Sequence, residues 1–267
     1  MFKSLTSLPN PTEGDWGERL LNTVASKTIR YLFTQSESVE VFVQCHPSSK
    51  LFQGSIDSFK MNGRGLVIRG DFRAEELSFQ TDAVVIDFSN VLSGKLTLKQ
   101  PTQAIAQITL SETGINQAFQ AELVKTRLQN LSLPALSDIL GGEFVSFETI
   151  QFQLLPNNGV RIFAQADLSN GEIVPISLSA TITIERRRRL VFCNPKFEAD
   201  TVPESQRKIS QTLSAVLAEI LDQMVDLDRF DLDGITMRIN RLETQGKQLI
   251  FTGYAQIERI PSSSSPH

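Results

Sequence analysis

Histidine is almost missing from this sequence: His46 and His267 are the two present. A zinc site or a histidine general base needs partners that a lone His46 beside Pro47 does not have. Cysteine is equally sparse, with only Cys45 and Cys193, which is too few for a disulfide framework. Each reads as a small apolar side chain, and no sequence feature favours a bridge between them. No charge-free apolar run reaches about 18 residues, so no membrane span is expected. The opening MFKSLTSLPNPTEGDWG is polar and broken by proline, without the apolar centre of a secretory signal. The expected location is therefore the cytoplasm, or the cytoplasmic face of a membrane as a peripheral protein. The formal charge is -4 with no clustered basic face, which excludes a nucleic-acid footprint. The glycines of Asn62-Gly63-Arg64-Gly65 fit no phosphate-binding spacing. The acidic stretch Asp226–Gly234 fails as a calcium loop, because Phe230 takes the fifth position and Gly234 falls ninth instead of sixth.

What the chain does have is patterned apolar surface. Its 267 residues, 40% apolar and 21% charged, suit a globular body with a sizeable core. A flexible leader is expected over 1–11, one folded domain over 12–260, and a loose tail over 261–267. A helix is predicted from Thr12, as N-cap, to Thr34, with Trp16, Leu20, Val24 and Tyr31 on one face. Strands follow. Val39, Val41 and Val43 alternate with polar neighbours, and 54–66 continues the ladder. In Leu77–Val85 the apolar phase flips to Val84, Ile86 and Phe88, as a bulge would make it flip. Leu96 and Leu98 begin another strand, and Ala104, Ala106, Ile108 and Leu110 line the next. Ser111 caps a helix expected to run to about Asn130.

The second half repeats this order, so an internal strands-then-helix repeat is expected over 39–134 and 144–260. Asn157-Asn158-Gly159 and Asn170-Gly171 are hairpin turns. A helix is predicted over 203–225 with a stripe of Ile209, Leu213, Val216, Leu217, Ile220 and Leu221. Strands at 235–239 and 249–257 close the chain. The fold class is α+β, with bulge and glycine devices that call for a strongly curved antiparallel sheet.

Two features admit two readings each. There are 17 Phe against two Tyr and one Trp. That is either an ordinary Phe-rich core or an interior kept apolar along its length, as a greasy channel requires. The run Arg186-Arg187-Arg188-Arg189 stands at a hairpin tip. It is either a solvated turn that blocks edge aggregation or a grip on anionic head groups, at roughly 1 kcal/mol per basic residue.

Three stretches carry a likeness: GSIDSFKMNGRGLVIRGDFRAEELSFQTDAVVID (54–87), GKLTLKQPTQAIAQITLSETGINQAF (94–119) and FDLDGITMRINRLETQGKQLIFTGYAQIE (230–258). In these the chain resembles the LmeA-like family of bacterial phospholipid-binding proteins over most of 20–260. The resemblance implies a curved antiparallel sheet wrapped around long amphipathic helices, similar to tubular lipid-binding domains of the TULIP type. It also implies apolar space for acyl chains, and it supplies no catalytic motif. No enzyme activity and no cofactor are expected.

The implied partner is a phospholipid or another acyl-chain lipid, held and shuttled at a membrane surface. Candidate lining residues are Phe79, Val85, Ile108, Phe119, Phe152, Ile162, Ile182 and Leu217, each of which reads equally as plain core. Arg186, Arg187, Arg188 and Arg189 are the head-group candidates. The alternative is a scaffold on the same fold, with the cavity collapsed and an apolar patch exposed on the 12–34 helix.

Overall fold

The computed structural model describes residues 13–68, 72–134, 137, 144–224 and 234–260. The leader, the tail, the Thr12 cap, the turn at 69–71 and the acidic stretch at 226–233 lie outside the described residues. Antiparallel sheet dominates and curls into a half-barrel, in agreement with the expected α+β class. It forms two principal sheets rather than one.

The first sheet contains β1 (Ser38–Gln44), β3 (Ser58–Ile68), β4 (Phe72–Thr81), β6 (Thr102–Ser111), β12 (Ile235–Gln245) and β13 (Gln248–Ile257). Its order is β1-β3-β4-β6-β13-β12, so the last hairpin of the chain returns to pair with β6. The second sheet is a meander with the order β11-β10-β9-β8-β7. Its strands are β7 (Leu131–Ser132), β8 (Phe144–Leu155), β9 (Gly159–Leu168), β10 (Ile173–Glu185) and β11 (Arg189–Phe197). A small ribbon joins β2 (Ser55–Ile56) to β5 (Val84–Val85).

The phase flip after Leu77 has a different cause from the one expected. β4 ends at Thr81, and the chain leaves the first sheet to pair Val84 and Val85 with β2. At Gly65 the backbone turns left-handed, with φ +56, yet Arg64↔Glu76 and Leu66↔Ala74 keep one register. The strand bends there without a bulge. Leu96 and Leu98 form no strand. They lie in an extended loop after the short helix α2 (Phe88–Leu92), tied by the single bridge Ile86↔Leu98.

Two helices of 18 residues cover the sheets: α1 (Glu13–Arg30) and α5 (Arg207–Met224). α1 stops four residues short of its predicted end. The helix expected from Ser111 to Asn130 is broken into α3 (Glu112–Ala118) and α4 (Glu122–Lys125). The reason is geometric. On one straight helix Val124 would stand about 180° round from Ile115. Both pack against the same core, and the break at 119–121 lets them.

That core is filled by the inner face of the second sheet, by Leu213, Leu217, Ala218 and Leu221 of α5, and by one end of the first sheet through Leu66, Ala74, Leu110, Leu242 and Leu249. A second cluster lies under α1, where Leu21, Val24, Ala25 and Ile29 meet Val41, Val43, Phe59 and Met61.

The sheet edges are taken up by side chains. Along β1, the Val43 and Cys45 N–H groups donate to Asn22 Oδ1 (2.9 Å) and Glu18 Oε1 (3.1 Å) of α1. Along β8, the Phe152 and Leu154 N–H groups donate to Asn116 Oδ1 (2.6 Å) and Glu112 Oε2 (2.9 Å) of α3. Asn116 Nδ2 returns a bond to the Phe152 carbonyl at 3.1 Å. Both pairs are Glu-x-x-x-Asn, and the spacing fits: four helical residues rise about 6 Å and two strand residues about 6.6 Å. On β11, the Phe192 N–H donates to Asp222 Oδ1 of α5 at 2.6 Å.

Candidate functional site

The register places small residues side by side on the inner face of the first sheet. Met61, Phe79, Ala106 and Gly253 form one row across neighbouring strands, and Phe59, Thr81, Ala104, Ala255 and Met237 form the next. Ala104, Ala106 and Ala255 are buried at the middle of this floor. Around it stand larger, half-buried side chains: Phe79, Leu98, Ile235 and Met237. Leu98 and Phe79 also touch the cluster under α1, so the floor is continuous with that helix. The surface is wholly apolar apart from Thr81, whose hydroxyl donates to the Asp82 carbonyl at 2.9 Å.

The opposite face of the same sheet is mixed, with Lys60, Gln80 and Gln107 standing among the exposed Phe42, Ile105 and Tyr254, the last two being cross-strand partners. A groove of about 450 Å³ crosses it, lined by Lys60, Asn62, Ser78, Gln80 and Gln107 together with Phe79, Ala104, Ile105 and Tyr254. A second, of about 330 Å³, shares Asn62, Ser78 and Gln107 and reaches Glu40 and Arg64. A hydrocarbon chain needs predominantly apolar walls, and amides, hydroxyls and charges are mixed into both of these grooves.

The eight lining candidates do not share one wall. Phe152, Ile162, Ile182 and Leu217 are buried together between the second sheet and α5. Phe119 stacks on Phe152, with ring centroids 4.7 Å apart and an interplanar angle of 15°, and Ile108 packs half-buried on the same core. Phe79 stands at the small-residue floor. Val85 sits in the ribbon opposite Ser55. The small residues that separate the floor from an ordinary core were missed, because alanine and glycine in a strand carry no signal until the register aligns them across neighbours.

The arginine tip is partly occupied inside the protein. Arg187 bonds Asn240, and its carbonyl accepts the Ile239 N–H at 2.7 Å, which fastens the β10–β11 hairpin to β12 of the other sheet. Arg189 Nε donates to the Asp222 carbonyl at 3.0 Å, and its guanidinium lies 3.5 Å from Glu185. The β8–β9 turn docks on the same strand, with Asn158 and Thr244 exchanging bonds of 2.9 Å.

Among the described residues no group of three His, Cys, Asp or Glu is placed to hold a metal ion. Both cysteines are free thiols. Burial, with the nearby Asp57 and Glu18 carboxylates, pushes the Cys45 thiol pKa up. Its sulfur lies 3.2 Å from the Ser55 carbonyl. Among the described residues no helix is long and apolar enough to cross a membrane.

The family model described as LmeA-like phospholipid-binding matches residues 12–254. The chain belongs to that family. No curated protein and no solved structure gives a significant match to it. Membership in the LmeA-like family makes lipid binding the chemistry against which the two faces of the first sheet are to be judged. Of the two, the inner one is the more apolar.

Proposed function

We propose that this protein holds a phospholipid or another acyl-chain lipid without acting on it, and shuttles it at a membrane surface. The family match over residues 12–254 carries the reading. The small-residue floor of the first sheet supports it. Ala104, Ala106 and Ala255 keep the floor low between the flanking Phe79, Leu98 and Met237, whereas the space beside Gly253 is filled by the Arg238 carbonyl. A hydrocarbon chain would lie along these rows, under the edge of α1, in the manner of tubular lipid-binding domains. Dispersion and burial would hold it, at roughly 0.8 kcal/mol per buried methylene. The polar head would stay at the rim, where Arg186, Arg187, Arg188 and Arg189 are the candidates, with Arg187 tied to Asn240 and Arg189 to Asp222. No step of bond making is required of any side chain.

Native mass spectrometry of the purified chain, with lipid extraction and phosphorus analysis of the extract, tests this directly. The expected result is a bound mass in the phospholipid range that organic solvent releases, and that Ala106→Leu reduces by shallowing the floor. A bare-chain mass with no extractable phospholipid would overturn the reading.

A further inference from the structure

Two large apolar side chains stand in solvent at the end of the first sheet that lies away from the second. Phe52, on the 3₁₀ turn Ser48–Gln53, is 64% exposed, and Leu92, at the end of α2, is 61% exposed. They are neighbours. The Phe52 ring meets Phe88 edge-on, with centroids 5.4 Å apart, and Phe88 and Leu92 are one helical turn apart on α2. A lone exposed apolar residue is ordinary, whereas a joined pair on a protein surface marks a contact site.

The pair stands on a fixed base. Leu51 and Val91, their immediate neighbours, are each 1% exposed. Gly54 closes the 3₁₀ turn with φ +79, and a β-carbon there would come within 2.1 Å of the Ile86 carbonyl oxygen. That carbonyl belongs to the segment leading into α2, so the two turns are held against each other. Asp87 caps α2 by accepting the Ser89 N–H at 3.1 Å. The exposure is built into the fold, and the apolar tips cannot fold back without breaking these bonds.

The surroundings select the partner. Lys95 and Lys99, exposed, follow Leu92 closely, and Lys50 precedes Phe52, paired with Asp57 at 2.9 Å. Leu96 and Leu98 run from this tip into the cluster under α1 and on to the small-residue floor. Asp57 and Asp87 stand near Lys50 and Lys99, and an apolar wedge with exposed lysines beside it complements the phosphate and acyl layers of a bilayer edge.

We propose that Phe52 and Leu92 form a wedge that inserts into the interfacial layer of a phospholipid bilayer, with Lys95 and Lys99 facing the phosphates. The inference rests on the lipid-holding reading, for which the wedge is the point of exchange. It moves the principal membrane contact from the arginine hairpin, which docks on β12, to the turns at Ser48–Gln53 and Phe88–Leu92.

Co-sedimentation of the full chain with vesicles of phosphatidylcholine and phosphatidylglycerol in equal parts is the test, alongside native mass spectrometry of the same preparations. The parent is expected to pellet with vesicles. Phe52→Ser/Leu92→Ser is expected to lose about tenfold or more in partitioning, with an unchanged melting profile and unchanged bound lipid. Phe52→Trp should retain binding and show a blue-shifted emission on vesicles that Trp16 alone in the parent does not show. Equal sedimentation of the parent and the double variant overturns the proposal, as does an unshifted Phe52→Trp. A vesicle-free dimer that the double variant dissociates also overturns it, by assigning the patch to a second copy. Loss of bound lipid in the parent, with vesicle binding intact, sinks the holding reading and leaves the wedge standing.

Discussion

Truncating Asn116 should reveal how much of the fold depends on side chains that replace a neighbouring strand. Its amide makes two bonds to the backbone of Phe152, receiving the N–H at 2.6 Å and donating to the carbonyl at 3.1 Å. Phe152 is buried, so neither backbone group can turn to water in the Asn116→Ala variant. Two net hydrogen bonds of about 1 kcal/mol each, plus part of the penalty for a stranded donor, give a loss of about 2–4 kcal/mol. For a chain of this size that is a fall in melting temperature of roughly 4–12 °C.

Asn22→Ala is the internal comparison. Asn22 receives only one bond, from the Val43 N–H, and its loss should cost about 1–2 kcal/mol. Asn116→Asp keeps the acceptor for the Phe152 N–H but turns a carboxylate toward the Phe152 carbonyl, and should fall no higher than Asn116→Ala. Urea denaturation followed by circular dichroism, with the m-value held constant, measures all three. If Asn116→Ala lies within about 0.5 kcal/mol of the parent, or Asn22→Ala costs as much as Asn116→Ala, the edge-replacement argument is wrong.

Two further outcomes are expected. Arg187→Ala should cost less than about 1 kcal/mol in urea melts, because the residue is exposed, and should leave vesicle binding nearly intact. A loss as large as that of the Phe52/Leu92 variant would return the membrane contact to the arginine tip. The Asp57 carboxyl is held below its ordinary range by the His46 backbone N–H and then by Lys50. A depressed folded pKa contributes stability that is present above the unfolded value near 3.8 and is lost as the pH falls below it. Asp57→Asn should therefore narrow the stability difference between neutral pH and about pH 3, as acid melts would record, and an unchanged difference would refute the coupling.

The hairpin turns of the second sheet were legible in the sequence. Alternation in 160–184 and the turn signals at Asn157–Gly159 and Asn170-Gly171 depend only on neighbours along the chain. The family resemblance was legible as well, in three stretches of ordinary residues. Other features were not, for stated reasons. The helix after Ser111 was overextended because periodicity cannot see that Val124 and Ile115 must reach one core. α2 was not foreseen, because the alternation was carried on to Phe88, although Asp87 followed by Ser89 is a capping signal that could have shown it. The grouping of Ala104, Ala106, Gly253 and Ala255 needs a cross-strand register that no local pattern supplies. The wedge was invisible because Phe52 and Leu92 lie 40 positions apart in the sequence and meet only through Phe88.

The Glu-x-x-x-Asn clamps and the Asp222 contact have a consequence at high protein density. A protein gathered at high density on a two-dimensional surface meets its own copies constantly, and open strand borders would let them zip together. Here the donors at Val43, Cys45, Phe152, Leu154 and Phe192 are already spoken for. Copies that meet along β1, β8 or β11 find those donors occupied, so crowding at these borders need not become fibre growth.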